Sequence, residues 1–404
     1  MEGVEEYNKA TDSGSEGRIV FRNGVEMRRI LLISVLMTLC WVSIVWSLQQ
    51  NRHSIQKLTA RLRASSTENP EYWRGEWQRL GIKAREKAFL YEQWLEEGFL
   101  EQGMVVHRHS DGRPSGECDS LLFSSLRYTA LMKLGWQDKA YQAWRGIENA
   151  FQNGRWVRHP KCRRKSTSRD MIVGLLVAMT QNPPAEVRRL QQLLNIVDTT
   201  GGSVDDGPFY VSRLSPGIGA IMRLMSQQYG VPLRDIPEEV RMGFSTLELD
   251  AWMAQPGFTA HLNALTLWIE LELTDHQPKS ALRSISELID TAFAPLGSPR
   301  IKDQRWAWIG HQLASLDRPN LFFEYMELRS VGALTWKTQA LLLQKLLEMP
   351  QFPDEHLPRN CDRRADYLWQ RHSVEYVPRP KATCIETFHG VDFLWMVALL
   401  TENL

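Results

Sequence analysis

Two hydrophobic patterns divide the chain. Residues 30–48 read ILLISVLMTLCWVSIVWSL, nineteen positions without a charge. That length suffices for one bilayer crossing, and Trp41 and Trp46 lie toward its far end, where indole favours the membrane interface. A buried core helix and a cleaved signal peptide are the rival readings. The run is long for a signal h-region, and no small-x-small site follows it promptly, so a retained anchor is expected. Residues 1–29 form a polar cytoplasmic tail in this reading. Residues 49–69 continue helically as a stalk, with Ile55, Leu58 and Leu62 at helical spacing, and Pro70 opens a globular part that runs to residue 404.

From Pro70 onward the apolar residues recur at helical rather than strand period. The pattern predicts helices at 70–80, 83–98, 119–134, 137–152, 169–181, 184–197, 213–229, 258–273, 278–293, 302–315, 319–330, 333–348, 361–371 and 390–402. LLFSSLRYTALMKLG (121–135) and MIVGLLVAMT (171–180) are apolar nearly all round, as buried helices are. Their successors, 137–152 and 184–197, are amphipathic and more charged. Gly135 reads as a helix C-cap, and Asn182-Pro183-Pro184 as a break. No alternating run promises a sheet; Met104–His107 supplies one hairpin arm at most. The fold class is therefore all-α. Buried helices alternate with exposed ones without a fixed period, which predicts a toroid of (α/α) hairpins, with an irregular α-solenoid as the alternative.

Composition narrows the compartment and the partners. Apolar residues make up 43% and charged residues 24% of the chain, a globular balance that excludes a polytopic membrane protein or a largely disordered chain. The net charge of +1 gives no basic field for nucleic acid. Arginines and lysines flank residues 30–48 equally, so charge does not set the orientation. Cysteines do. Cys40 lies in the apolar run, and Cys118, Cys162, Cys361 and Cys384 all follow it. An even number suits two disulfides in an oxidising compartment, with Cys361–Cys384 and Cys118–Cys162 as the candidate pairs and four buried free thiols as the rival reading. A cytoplasmic N-terminus and a periplasmic C-terminal domain at the inner membrane follow. The absence of any N-x-Ser/Thr sequon favours a bacterial periplasm over a Golgi lumen.

Candidate chemistry clusters where the apolar helices begin. Asp119 opens one; Arg158, His159, Arg169 and Asp170 lead into the next; Arg213 precedes a third; His261 and Asn263 open a fourth, and Asp392 a fifth. If these helices run parallel around a ring, those residues meet at one mouth, where Arg, His and Asp supply acid–base groups for a polar substrate. Taken singly, each Asp also reads as an ordinary helix cap, and His261 as a hydrogen-bonded core histidine. Fifteen tryptophans suit sugar-stacking surfaces as well as cores. No Walker A, G-x-S-x-G, G-x-G-x-x-G or H-E-x-x-H motif occurs, and no spacing suggests a zinc site or another metal or cofactor.

The stretches GECDSLLFSSLRYTAL (116–131), NGRWVRHP (153–160) and STSRDMIVGLL (166–176) resemble the first hairpins of (α/α) toroid proteins of the six-hairpin glycosidase-like class. That resemblance implies an acidic residue at the head of an inner helix beside a sugar groove. It makes Asp119 and Asp170 the carboxylate candidates and His159 a candidate base. It also sets Arg158 and His159 against an acidic or hydroxyl-rich sugar; Arg169, Arg213, His261, Asn263 and Asp392 are candidate substrate contacts from their place at the helix starts. The expected function is binding and processing of cell-envelope polysaccharide as a hydrolase, lyase or epimerase. A non-catalytic envelope assembly protein is the alternative.

Overall fold

The computed structural model describes residues 69–106, 108–109, 120–162, 167–181, 188, 192–193, 203–205, 211–231, 247–255, 258–275, 301–317, 320–348, 386–387 and 389–404, with Val35, Thr38, Leu39 and Val42 near the N-terminus. The chain divides into two compact units, residues 1–50 and 51–404. In the first, the four described residues are helical, and Val35, Leu39 and Val42 are exposed. Among the described residues no helix is long and apolar enough to cross a membrane; the rest of the expected span at 30–48 lies outside them, as do the tail and the stalk up to residue 68.

The second unit is all-α. Among the described residues its helices are α1 (Pro70–Gly98), α2 (Ser120–Lys133), α3 (Gln137–Glu148), α4 (Arg169–Met179), α5 (Pro216–Tyr229), α6 (Leu247–Met253), α7 (Phe258–Asp275), α8 (Ile301–Leu316), α9 (Leu321–Ser330), α10 (Trp336–Leu347) and α11 (Val391–Thr401). Eight strands of two or three residues make four antiparallel pairs: β1 (Leu100–Glu101) with β2 (Met104–Val105), β3 (Arg108–His109) with β8 (Glu386–Thr387), β4 (Phe151–Gln152) with β5 (Arg155–Trp156), and β6 (Ser203–Asp205) with β7 (Val211–Arg213). The expected hairpin arm at Met104 is β2. The other ladders are too short to leave an alternating pattern.

Local chemistry fixes most boundaries. The Asn69 side chain accepts from the Tyr72 N–H ahead of Pro70 in the first turn of α1. Thr335 and Thr338 form a reciprocal capping box at α10, satisfying N–H groups a helix start leaves unpaired. Gly135, at φ 77°, ends α2: its N–H donates to Met132 O and the next N–H to Leu131 O, the Schellman arrangement. One expectation needs correction: 70–80 and 83–98 are a single helix. Gly81 lowers helix propensity without breaking the hydrogen-bond ladder. A second is an omission, since α6 was not foreseen. The predicted helices at 278–293 and 361–371, and most of 184–197, lie outside the described residues.

Packing follows the apolar pattern. Every residue of α11 is buried, as are thirteen of the fourteen in α2. Large apolar side chains so placed contribute about 1.5–3 kcal/mol each. Helix α2 packs on α4, α4 on α7, and α7 on α9; α9 meets α11 through Phe322 and Trp395, and α11 returns to α2. This is a closed circuit of buried helices. Trp395 also packs edge-on against Trp268 of α7, at 4.8 Å between centroids. The more exposed helices lie against the circuit: α3 on α2, α8 on α7 and α9, and α1 with α10 against α11.

Helices α2, α7, α9 and α11 point the same way, because their C-terminal groups converge. Lys133, at the end of α2, bonds Glu272 of α7 at 3.1 Å and Glu402, just past α11, at 2.8 Å. Arg329 near the end of α9 pairs with Glu272 at 2.6 Å. Burial alone would raise the Glu272 carboxyl, but Arg329 and Lys133 outweigh it and hold it below its ordinary value. Tyr325, buried beside this cluster, is pushed up to about 12 by loss of water. A second buried pair joins α1 to α2: the Arg127 guanidinium forks onto both oxygens of Glu92, at 3.0 and 3.1 Å from Nε.

Candidate functional site

With the C-terminal ends gathered at one pole, the N-terminal ends of the buried helices gather at the other. Two contacts fix this directly. Phe123, in the first turn of α2, packs on the His389 ring ahead of α11, at 4.2 Å between centroids. Asn320, the N-cap of α9, donates from Nδ2 to His261 Nε2 of α7 at 3.1 Å.

The starts of α4, α5 and α7 meet around a cavity of about 180 Å³, open to solvent on one side. Arg169, Ser215, Asp250 and Asn263 supply its polar wall, and Ile218, Met253 and Leu262 its apolar wall. The wall is built from α5 outward. Ser215 caps α5, its Oγ accepting from the Ile218 N–H at 3.4 Å, and also hydrogen-bonds the Asp250 carboxyl. Asp250 Oδ2 accepts from the Gly217 N–H at 2.9 Å. Position 217 must be glycine for this approach, since a Cβ there would overlap Asp250 Oδ2. Asn263 Nδ2 donates to the Asp250 carbonyl at 2.8 Å and so locks α6 onto α7. Burial pushes the Asp250 carboxyl up; the hydrogen bonds from Ser215 and Gly217 and the charge of Arg169 only partly offset that. Next to Met253, which is 56% exposed at the rim, Trp252 is 40% exposed.

Of the sequence candidates, Arg169 and Asn263 thus stand at the cavity. Asp170 is buried in the first turn of α4 and its Oδ1 accepts from the Ser168 hydroxyl. His159 is buried with both ring nitrogens engaged by backbone: Nδ1 accepts from the Lys161 N–H at 3.1 Å, and Nε2 meets Glu101 O at 3.2 Å. His261 is fully buried against Phe323, at 4.8 Å. Asp392 is buried in the first turn of α11, its Oδ1 accepting from the Phe393 N–H at 3.1 Å. Arg158 accepts the Leu121 N–H on its carbonyl at 3.0 Å, tying the segment before α4 to α2. Arg213 lies in β7, paired with Ser203; its side chain is outside the description, as are Asp119, Cys118, Cys361 and Cys384. No disulfide joins two described residues; Cys162 is disulfide-bonded, and every other cysteine falls outside them.

Asp250 was the residue the pattern missed. Its helix is too short for a periodic signal, although Ser245-Thr246-Leu247-Glu248 carries the Ser-x-x-Glu spacing of a capping box and marks a helix start there. No group of three or more His, Cys, Asp or Glu among the described residues is arranged to hold a metal ion. The chain matches no protein family, no curated protein and no solved structure.

Proposed function

We propose that residues 70–404 form an (α/α) toroid that binds and processes a cell-envelope polysaccharide, displayed on the periplasmic side of the inner membrane by an anchor at residues 30–48. The observation that carries this reading is the cavity. Four polar side chains, Arg169, Ser215, Asp250 and Asn263, come from four helices or their caps and line one open hollow together with the apolar Ile218, Met253 and Leu262. Concave sites with a few convergent polar groups are where ligands bind, and a lining that mixes hydrogen-bonding and apolar side chains suits a sugar ring. The closed circuit of buried helices supports the toroid.

The chemistry needs one carboxyl that stays charged and one that carries a proton. A carboxylate in the first turn of a helix favours its ionised form, which suits Asp170; Asp119, outside the described residues, is a candidate from the sequence alone. Asp250, whose burial favours the neutral form, suits the donor. The test is polysaccharide production or turnover in cells carrying Asp119→Asn, Asp170→Asn or Asp250→Asn. Asn retains helix-capping ability but transfers no proton. Loss of about 100-fold or more in at least one variant, with normal protein level and melting temperature, is expected.

The assembly alternative also has an observation in its favour. Ile82, Phe89 and Leu90 on α1 are exposed, at 53%, 44% and 52%, a stripe at helical spacing of the kind that partners cover. Full function in all three Asn variants would transfer the preference to that reading.

A further inference from the structure

We infer that the cavity selects an acidic sugar, with Arg169 receiving its carboxylate. This deepens the polysaccharide reading and rests on it. Most polar groups around the hollow are already engaged. Asp250 accepts from Gly217 and hydrogen-bonds Ser215. The Asn263 amide nitrogen is spent on the Asp250 carbonyl, and the Thr266 hydroxyl donates to Asn263 O at 2.8 Å. The Thr259 hydroxyl donates to Gln255 O at 3.0 Å. Arg169 differs from all of these. It lines the cavity, yet its guanidinium makes no hydrogen bond or ion pair with another described residue; it interacts with Asp250 through charge alone.

A guanidinium held at a cavity wall without a partner presents a planar fork of donors matched to a carboxylate. Asp250 does not supply that carboxylate, because its Oδ2 is held by the Gly217 N–H and it makes no ion pair with Arg169. Burial also favours its neutral form, which leaves Arg169 as the net charge of the hollow. A neutral sugar would leave that charge uncompensated, whereas a uronate would neutralise it. Met253 at the rim then faces apolar C–H surface of the ring or of its neighbour along the chain.

The experiment is calorimetric titration of the full-length protein with trisaccharides of galacturonate, glucuronate and mannuronate, each beside its neutral methyl ester. At least one acid should bind roughly tenfold more tightly than its ester. Arg169→Gln should erase that preference by bringing the affinity for the acid down to that for its ester; Arg169→Lys, which keeps the charge and loses the fork, should retain part of it. Equal affinity of acids and esters in the wild-type protein overturns the inference and leaves the polysaccharide reading standing. Binding of none of the six overturns both. A preference that survives Arg169→Gln assigns the charge recognition elsewhere and overturns the role of this residue. Thermal melts of each variant confirm that it is folded.

Discussion

Asp250 and Gly217 are in contact that no other residue at position 217 permits: the glycine N–H donates to Asp250 Oδ2 at 2.9 Å, over the place where a Cβ would stand. A carboxyl from a short helix thereby adds to the local Ser215 cap at the first turn of α5, at the wall of the cavity. Gly217→Ala is expected to cost about 1–3 kcal/mol through overlap. Adding Asp250→Ala should return part of the loss by removing the clash. Urea unfolding of the two singles and the double checks this; strictly additive losses would mean the two positions are not coupled.

Arg127 and Glu92 carry a larger penalty if separated. Glu92 is 0% exposed and Arg127 2%; burial alone raises the Glu92 carboxyl, against the pull of Arg127. Arg127→Met strands a buried carboxylate and should cost about 3–5 kcal/mol, whereas Arg127→Met with Glu92→Leu should fall much closer to the wild type. Equilibrium denaturation of all three variants is the measurement. Equal losses in the single and the double would show that the pair is not the source.

Glu272 makes the pH response legible. Its folded pKa lies below the ordinary 4.5, held there by Arg329 and Lys133 against burial. Its contribution to stability is therefore complete above about pH 4.5 and is lost as pH falls through the lowered folded value. Glu92 and Asp250, whose values are raised, contribute with the opposite sign. Glu272→Gln should lower stability at neutral pH and bring the variant's curve toward the wild type's as the medium is acidified below that point. A gap of constant size from neutral pH down into that acidic range would show that Glu272 titrates normally.

Asn320 and His261 offer a test of structure against chemistry. The Asn320 carbonyl oxygen caps α9 through the Phe322 and Phe323 N–H groups at 3.0 and 3.4 Å, while its amide reaches His261. Asn320→Ala loses both and should cost about 1–2 kcal/mol from the cap alone. Asn320→Ser keeps a capping oxygen and removes the amide donor, so it should cost less. His261→Gln should lower the melting temperature and leave polysaccharide phenotypes at permissive temperature intact. A null phenotype in a folded His261→Gln protein would return that residue to the catalytic candidates.

Periodicity read the buried helices well because nothing competes with it there. α2, α4 and α11 were expected at 119–134, 169–181 and 390–402 and lie at Ser120–Lys133, Arg169–Met179 and Val391–Thr401. Buried on nearly every side, they need no partner to reveal their pattern. The site was legible only in outline. Arg169 and Asn263 signalled their positions by standing at helix starts, but Asp250 acts through a contact with Gly217, thirty-three positions earlier in the chain, and no spacing announces such a pair. Ionic links such as Arg127–Glu92 were invisible for the same reason: Arg127 stands in an apolar helix, and Glu92 is one of many charges on α1 with nothing in the spacing to single it out.

The closed circuit has a consequence for how the protein is made. Helix α11 joins α1 and α2 through contacts that reach far back along the chain. The Trp77 indole donates to Leu400 O across 323 positions, and the Tyr91 hydroxyl to His389 O across 298. On an emerging polypeptide, α1 and α2 must wait for nearly all that follows before their apolar flanks are covered. Long-range closure of this kind is slow, and it leaves sticky surface open meanwhile. Holding factors that shield nascent chains should therefore matter more for the yield of this protein than its final stability does. A circular permutant beginning at α11, so that α11 is synthesised just ahead of α1, should fold faster than the native order while reaching the same end state.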